Sequence, residues 1–305
     1  MKPPQPHLVH RLPPAPNFVG REEELAAVRD LWTSGFRGVL ALVGLGGAGK
    51  TAIAARFLED VLGGPSGCLP QGLFVWSFYQ EPDAGLFLQE AYRYFGGEAG
   101  EPSAKGIGVF HLLREALSNG GPHLLILDGL ERVQRQEEAR PEQFGQIEDP
   151  LLKALLLRVA DGMGQTTALI TSRFPLPDLQ AAAGQGYRPI DIGGLSDVAA
   201  RALLRQRGVQ GDDAALDGLT AAYGSHALTL DHLGGLLGQF LGGDPARAPE
   251  LSLTTAGDRQ SLRLARLFRA YQEHLPSVEL SLLCRLCMLR RSVREEQVAD
   301  LSLPP

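Results

Sequence analysis

The sequence is short of cysteine, of positive charge and of long apolar runs, and each shortage closes off a class of protein. Three cysteines in 305 residues are an odd number in a long chain, which does not build a secreted disulfide framework. Lysine and arginine number 29 against 35 aspartates and glutamates, a net charge of −6. That balance argues against a broad electrostatic footprint for nucleic acid and leaves room only for a local basic patch. No apolar run is long enough to span a bilayer. The opening MKPPQPHLVHRLPPAP lacks the apolar stretch of a signal peptide. A cytoplasmic protein without a membrane partner is the expectation. What is present suits a packed chain: 44% hydrophobic and 21% charged residues, over a length sufficient for two or three domains.

Residues 1–16 hold six prolines among small and polar residues, which reads as an extended linker. Folding is expected to begin at Asn17-Phe18-Val19-Gly20-Arg21. Glu22, Glu23 and Glu24 then open an amphipathic helix, acids in its first turn, with Leu25, Val28 and Trp32 at helical spacing. Five short apolar runs predict strands: 38–43, 72–78, 124–127, 168–171 and 187–192. Helical patterns at about 84–95, 108–118 and 150–160 separate most of them. Strands alternating with helices predict an α/β fold, a parallel sheet wound with helices. After Gly194 the strand signals stop. The segments 196–207, 212–222, 225–240 and 258–274 read as helices, and 277–289 with 293–301 as two more. The expected domains are therefore 17–194, 195–274 and 275–305. The chain ends without an obvious closing element, as a fragment of a longer protein would, and no internal repeat is visible.

Gly44-Leu45-Gly46-Gly47-Ala48-Gly49-Lys50-Thr51 fits G-x-x-x-x-G-K-[ST] between a buried strand and a helix. Glycines let backbone N–H groups turn inward around phosphates, and the helix adds its positive end. Lys50 supplies a point charge to the β and γ phosphates, and the Thr51 hydroxyl suits Mg²⁺. The phosphate-contacting set is Gly44, Gly46, Gly47, Ala48, Gly49, Lys50, Thr51 and Ala52. The same residues satisfy G-x-G-x-x-G. A dinucleotide site, however, wants an acid roughly 20 residues on, at the end of a second strand. The stretch there is GGPSGC, with neither acid nor strand, and Lys50-Thr51 would go unused.

LLILDGLE, residues 124–131, then reads as the Walker B strand. Asp128 is expected to hold Mg²⁺ through its water shell; the alternative is a turn-capping aspartate. Many ATP-driven motors place a second acid directly after the first. Here Gly129 stands in that place and the next acid is Glu131, either a residue that orients the attacking water or a solvated loop residue. ALITSR, residues 168–173, ends a further strand. In a parallel sheet the carboxyl ends of the strands line the ligand crevice, so Arg173 points toward the γ-phosphate position unless it is an ordinary surface arginine.

Taken in order, NFVGRE at 17–22, GLGGAGKT, LLILDGLE, LITSR and YGSHALTL at 223–230 resemble the NB-ARC branch of the STAND ATPases. Plant disease-resistance receptors, apoptotic protease-activating factors and many bacterial regulators share it. The resemblance covers about 18–301. It implies a P-loop NTPase domain, a small helical domain over 195–274 and the start of a winged-helix domain. It also implies ATP or ADP with Mg²⁺, slow ATP hydrolysis, homo-oligomerisation on activation, and effector and sensor domains beyond this chain. Lys50, Asp128, Glu131 and Arg173 would serve hydrolysis. Val19 and Arg21 would lie against the adenine. The family's G-x-P motif is changed here, with His226 where proline is usual; its ring would stack on or bond near the base, or else simply pack at a helix start. A steadily cycling remodelling ATPase and a nucleotide-modulated DNA-binding regulator are the alternatives, the second requiring an intact winged helix.

Other features read blandly. Cys284 and Cys287 have ligand spacing but lie among leucines with no second pair, so core packing is expected rather than zinc, which needs four ligands. Arg285, Arg290, Arg291 and Arg294 form a basic face. Residues 134–149 are polar and read as a loop beside the site.

Overall fold

The computed structural model describes residues 6–16, 18–64, 69–96, 106–136, 141–250 and 259–287. The chain divides into two compact units, 1–193 and 194–305. The first is a wound parallel sheet, as the alternating pattern predicts. Its strands are β1 (His7–Leu8), β2 (Gly38–Val43), β3 (Gly72–Ser77), β4 (His123–Asp128), β5 (Thr166–Ser172) and β6 (Tyr187–Asp191). Their order across the sheet is β1-β3-β4-β5-β2-β6, and every pair is parallel.

The strands read as continuous apolar runs because helices cover both faces. Each run divides with the period of two that the pleat imposes. Val39, Ala41, Phe74, Trp76, Leu125, Leu127, Ala168 and Ile170 enter one core. There they meet α3 (Ala84–Phe95), α4 (Ile107–Ser118) and α5 (Pro150–Ala160). Leu40, Leu42, Leu73, Val75, Leu124, Ile126 and Leu169 enter the other, beneath α1 (Glu22–Thr33) and α2 (Lys50–Gly63). Asp83 and Asp149 start α3 and α5 by accepting backbone N–H bonds from Leu86 and from Leu151 and Leu152, each cap worth about 1 kcal/mol. Pro189, which has no N–H to donate, is accommodated because β6 is an edge strand.

Two expectations for this unit change. Residues 6–16 are more than a linker. His7 and Leu8 pair with Phe74 and Val75, His7 stacks on Tyr94, and the Ser77 N–H donates to His10 Nδ1 at 3.0 Å. Two strand residues between prolines are too few to show a periodic pattern, and β3 offers them an open edge. Residues 134–149 are not simply a loop. Gln134 bridges antiparallel to Ile147, and its buried amide donates to the carbonyls of Gly145 and Pro175. Residues 137–140 fall outside the described set.

The second unit is helical: α6 (Asp197–Gln206), α7 (Asp213–Tyr223), α8 (Ala227–Phe240), α9 (Arg259–His274) and α10 (Ser277–Cys287). Ser196 and Asp212 cap α6 and α7. Leu203, Leu204, Leu216, Leu230, Leu233 and Leu237 form the buried contacts. Cys284 is exposed, contrary to the core packing expected of it. Along α10 the described apolar side chains are exposed or half-buried. The side chain of Cys287, residues 290, 291 and 294 of the basic face, the segment 293–301 and Asn17 lie outside the described residues. No helix among the described residues is long and apolar enough to cross a membrane.

Candidate nucleotide site

The carboxyl ends of β2, β3, β4 and β5 bring one polar cluster together. β2 runs into the glycine loop, where Gly47 and Gly49 take positive φ of 79° and 102°, the conformation that favours glycine. α2 follows at Lys50 with no side-chain cap, so its first amides are left to the loop and to whatever lies in it. Lys50 is buried, and its ammonium donates to the carbonyls of Gly44 at 2.8 Å and Leu45 at 3.0 Å. Burial lowers its pKa; Glu131 opposes that shift, Arg173 reinforces it and Asp128 opposes it.

Asp128 is 2% exposed and therefore needs donors. Thr51 Oγ1 donates to its Oδ1 at 2.7 Å, Thr171 Oγ1 to the same oxygen at 2.8 Å, and Ser77 Oγ to Oδ2 at 3.2 Å. Thr171 also accepts the Gly129 N–H at 2.9 Å. This arrangement follows from strand order. The P-loop strand and the Asp128 strand are not neighbours; β5 lies between them and inserts Thr171. Asp128 thus stands beside the Thr51 hydroxyl. It is no mere turn cap: its partners come from three other elements.

Glu131 sits in a 3₁₀ turn over Leu130–Val133 and is 3% exposed, which removes the solvated-loop alternative. Its Oε1 accepts from the Tyr79 hydroxyl and from Arg173 Nε at 3.0 Å. Its Oε2 accepts the Arg173 N–H at 3.3 Å. Burial, then the Glu131 hydrogen bond, pushes the Tyr79 phenol up to about 12, so it stays a donor. Arg173 reaches the loop as well, since a Cβ added at Gly46 would lie 2.9 Å from its Cζ. Its side chain is half exposed, leaving the guanidinium free to change partners.

Arg21 is buried at positive φ of 66°. Its guanidinium donates to Glu24 at 2.8 Å, to the Ala48 carbonyl at 3.0 Å and to the Gly193 carbonyl at 2.6 Å. It braces the loop from behind. Val19 is half-buried in the segment before it, and Ala52 is in the first turn of α2. His226 is the N-cap residue of α8 in the second unit, its Nδ1 3.3 Å from Thr229 Oγ1. Sequence reasoning missed Ser77, Tyr79, Thr171 and Gln134, whose side-chain oxygen accepts from Ser172 Oγ at 2.5 Å. A signal for two of them exists: Ser77 and Thr171 each break an apolar run at its carboxyl end, as Asp128 does. Among the described residues no group of three or more His, Cys, Asp and Glu is placed to hold a metal. A Mg²⁺ site of one hydroxyl and one carboxylate does not require such a group.

No family model matches the chain. It is 25% identical over 250 residues to an uncharacterized WD repeat-containing protein of Nostoc sp., a match covering 77% of this chain and 19% of that protein. Among solved structures it is similar to the Signal Transduction ATPase with Numerous Domains (STAND) protein with a tetratricopeptide repeat sensor from Pyrococcus horikoshii. The TM-score is 0.60 at 18% identity, over 94% of this chain and 37% of that one. The chain thus spans about a fifth of the curated relative and just over a third of the archaeal protein. At this identity the likeness is one of fold alone: an α/β unit with a wound parallel sheet and a helical unit.

Proposed function

We propose that the chain is a nucleotide-operated switch of the NB-ARC type: it binds ATP or ADP with Mg²⁺, hydrolyses ATP slowly, and couples the nucleotide to assembly and to effector domains outside this sequence. The observation that carries the reading is the pairing of Thr51 with Asp128 at 2.7 Å beside the buried ammonium of Lys50. A hydroxyl, a carboxylate and a lysine at the mouth of a glycine loop match the needs of a Mg²⁺-triphosphate. Thr51 and Asp128 would hold the metal. Lys50 and the amides of Gly44 to Thr51 would hold the phosphates, with Arg21 bracing the loop from behind. Val19, in the segment that leads into Arg21, would lie on the base side of the site.

Arg173 supports a switch rather than a fast motor. It is paired with Glu131 while lying against Gly46, so a γ-phosphate at the loop competes with Glu131 for the same guanidinium. ATP and ADP then differ by that contact, and a ligand shifts a two-state equilibrium only through such differences. A full swing takes about 5.5 kcal/mol, to which Lys50, Mg²⁺ and Arg173 would contribute together. Fast turnover also calls for an arginine finger worth about 10³–10⁵ in rate, and Arg173 in its present pairing serves Glu131 instead.

Equilibrium binding of a fluorescent ATP analogue tests the site. Lys50→Ala is expected to abolish it, and an unchanged affinity would remove the P-loop assignment. Glu131→Gln is expected to keep binding and to slow single-turnover hydrolysis.

A further inference from the structure

The geometry points to Tyr79 as a positioning residue for hydrolysis, one that aims the Glu131 carboxylate at the attacking water. The inference rests on the reading of Glu131 as the group that orients that water. Tyr79 follows β3 and reaches across to β4's turn, where its hydroxyl donates to Glu131 Oε1. The same oxygen holds Arg173 Nε at 3.0 Å. The two donors are not equivalent. The guanidinium is half exposed and has a second destination at the glycine loop. Tyr79 is itself 45% exposed, but its ring rests against Gly129 and has no such second destination: a Cβ added at Gly129 would lie 2.5 Å from Tyr79 Cδ2 and 2.6 Å from Cε2. When Arg173 turns to a γ-phosphate, Tyr79 remains on Oε1 and the Arg173 N–H on Oε2.

This accounts for the residue that separates the two acids. Gly129 takes a positive φ of 75°, and its bare Cα is the surface on which the Tyr79 ring rests. An acid in that place would occupy the space of the ring. The glycine therefore moves the second carboxylate to Glu131 and makes room for the phenol that holds it. The phenol keeps its own proton, being pushed up to about 12 by burial and then by Glu131.

Single-turnover ATP hydrolysis, with ATP-analogue binding in parallel, tests the assignment on wild type, Tyr79→Phe and Glu131→Gln. Tyr79→Phe removes one oxygen and keeps the ring on Gly129. It is expected to slow hydrolysis about tenfold or more, the effect of a small misplacement of a reacting group, and to leave binding unchanged. An unchanged rate in Tyr79→Phe, with Glu131→Gln impaired, would overturn the role of Tyr79 and leave Glu131 standing. Weakened ATP binding in Tyr79→Phe would make the phenol a packing group and overturn it too. Full activity in Glu131→Gln would overturn the underlying reading of Glu131, and the inference with it.

Discussion

Thr171→Val isolates the hydrogen-bond network under the site. Thr171 is buried in β5 between the two strands that carry the chemistry. Valine keeps the branched shape and puts a methyl group in place of the hydroxyl. Asp128 then loses a donor at 2.8 Å and the Gly129 N–H loses its acceptor at 2.9 Å. A hydrogen bond to a charged group is worth about 1.5–3 kcal/mol, and an orphaned buried amide costs about 1–3 kcal/mol. Asp128 keeps Thr51 and Ser77, so the combined loss is expected at about 3–5 kcal/mol. At about 2–4 °C per kcal/mol for a unit of this size, the midpoint should fall by on the order of 10 °C. Urea unfolding followed by tryptophan fluorescence reports on the first unit alone, because both tryptophans of the chain, Trp32 and Trp76, lie in it. Thr171→Ser is expected to recover most of the loss. A valine variant within about 0.5 kcal/mol of wild type, the range of an ordinary surface substitution, would refute the network.

The remaining predictions concern the loop and a buried histidine. Gly46→Ala puts a Cβ 2.9 Å from Arg173 Cζ. The guanidinium is flexible and half exposed, so stability should change by less than about 0.5 kcal/mol. Titration with ATP and ADP analogues should show a reduced preference for the triphosphate; an unaltered ratio would detach Arg173 from the γ-phosphate. His123 is buried, and burial lowers its pKa from 6.5 to about 4. The unfolded state therefore binds the proton more readily, and stability is lost as pH falls from about 6.5 toward 4. Between pH 7 and pH 5.5 the loss should be about 1 kcal/mol. Urea unfolding of His123→Phe should lack that increment; an equal fall in both proteins would reassign the acid sensitivity to other groups.

Much of this architecture is legible in the sequence because burial writes it there. The runs at 38–43, 72–78 and 124–127 are apolar at almost every position, and such runs have few homes outside a sheet covered on both faces. The glycine loop is legible for a different reason: phosphates impose residue types at fixed offsets. The neighbours of Asp128 were legible only in part: Ser77 and Thr171 mark the ends of apolar runs, but nothing local brings them to it. Whether Ser77, Thr51 and Thr171 surround it depends on which strands lie side by side, and the insertion of β5 between β2 and β4 leaves no local trace in either segment. The Tyr79–Glu131 contact joins residues 52 positions apart, and an exposed-looking tyrosine after a strand carries no mark of it. The edge strand at His7–Leu8 hid in a proline-rich stretch because two residues show no period.

The most direct test of the switch is to denature the purified protein and identify any released nucleotide by chromatography. The account predicts close to one ADP per chain, retained at Lys50, Thr51 and Asp128 until exchange. A protein that releases nothing, and that turns over added ATP rapidly and steadily, would contradict it.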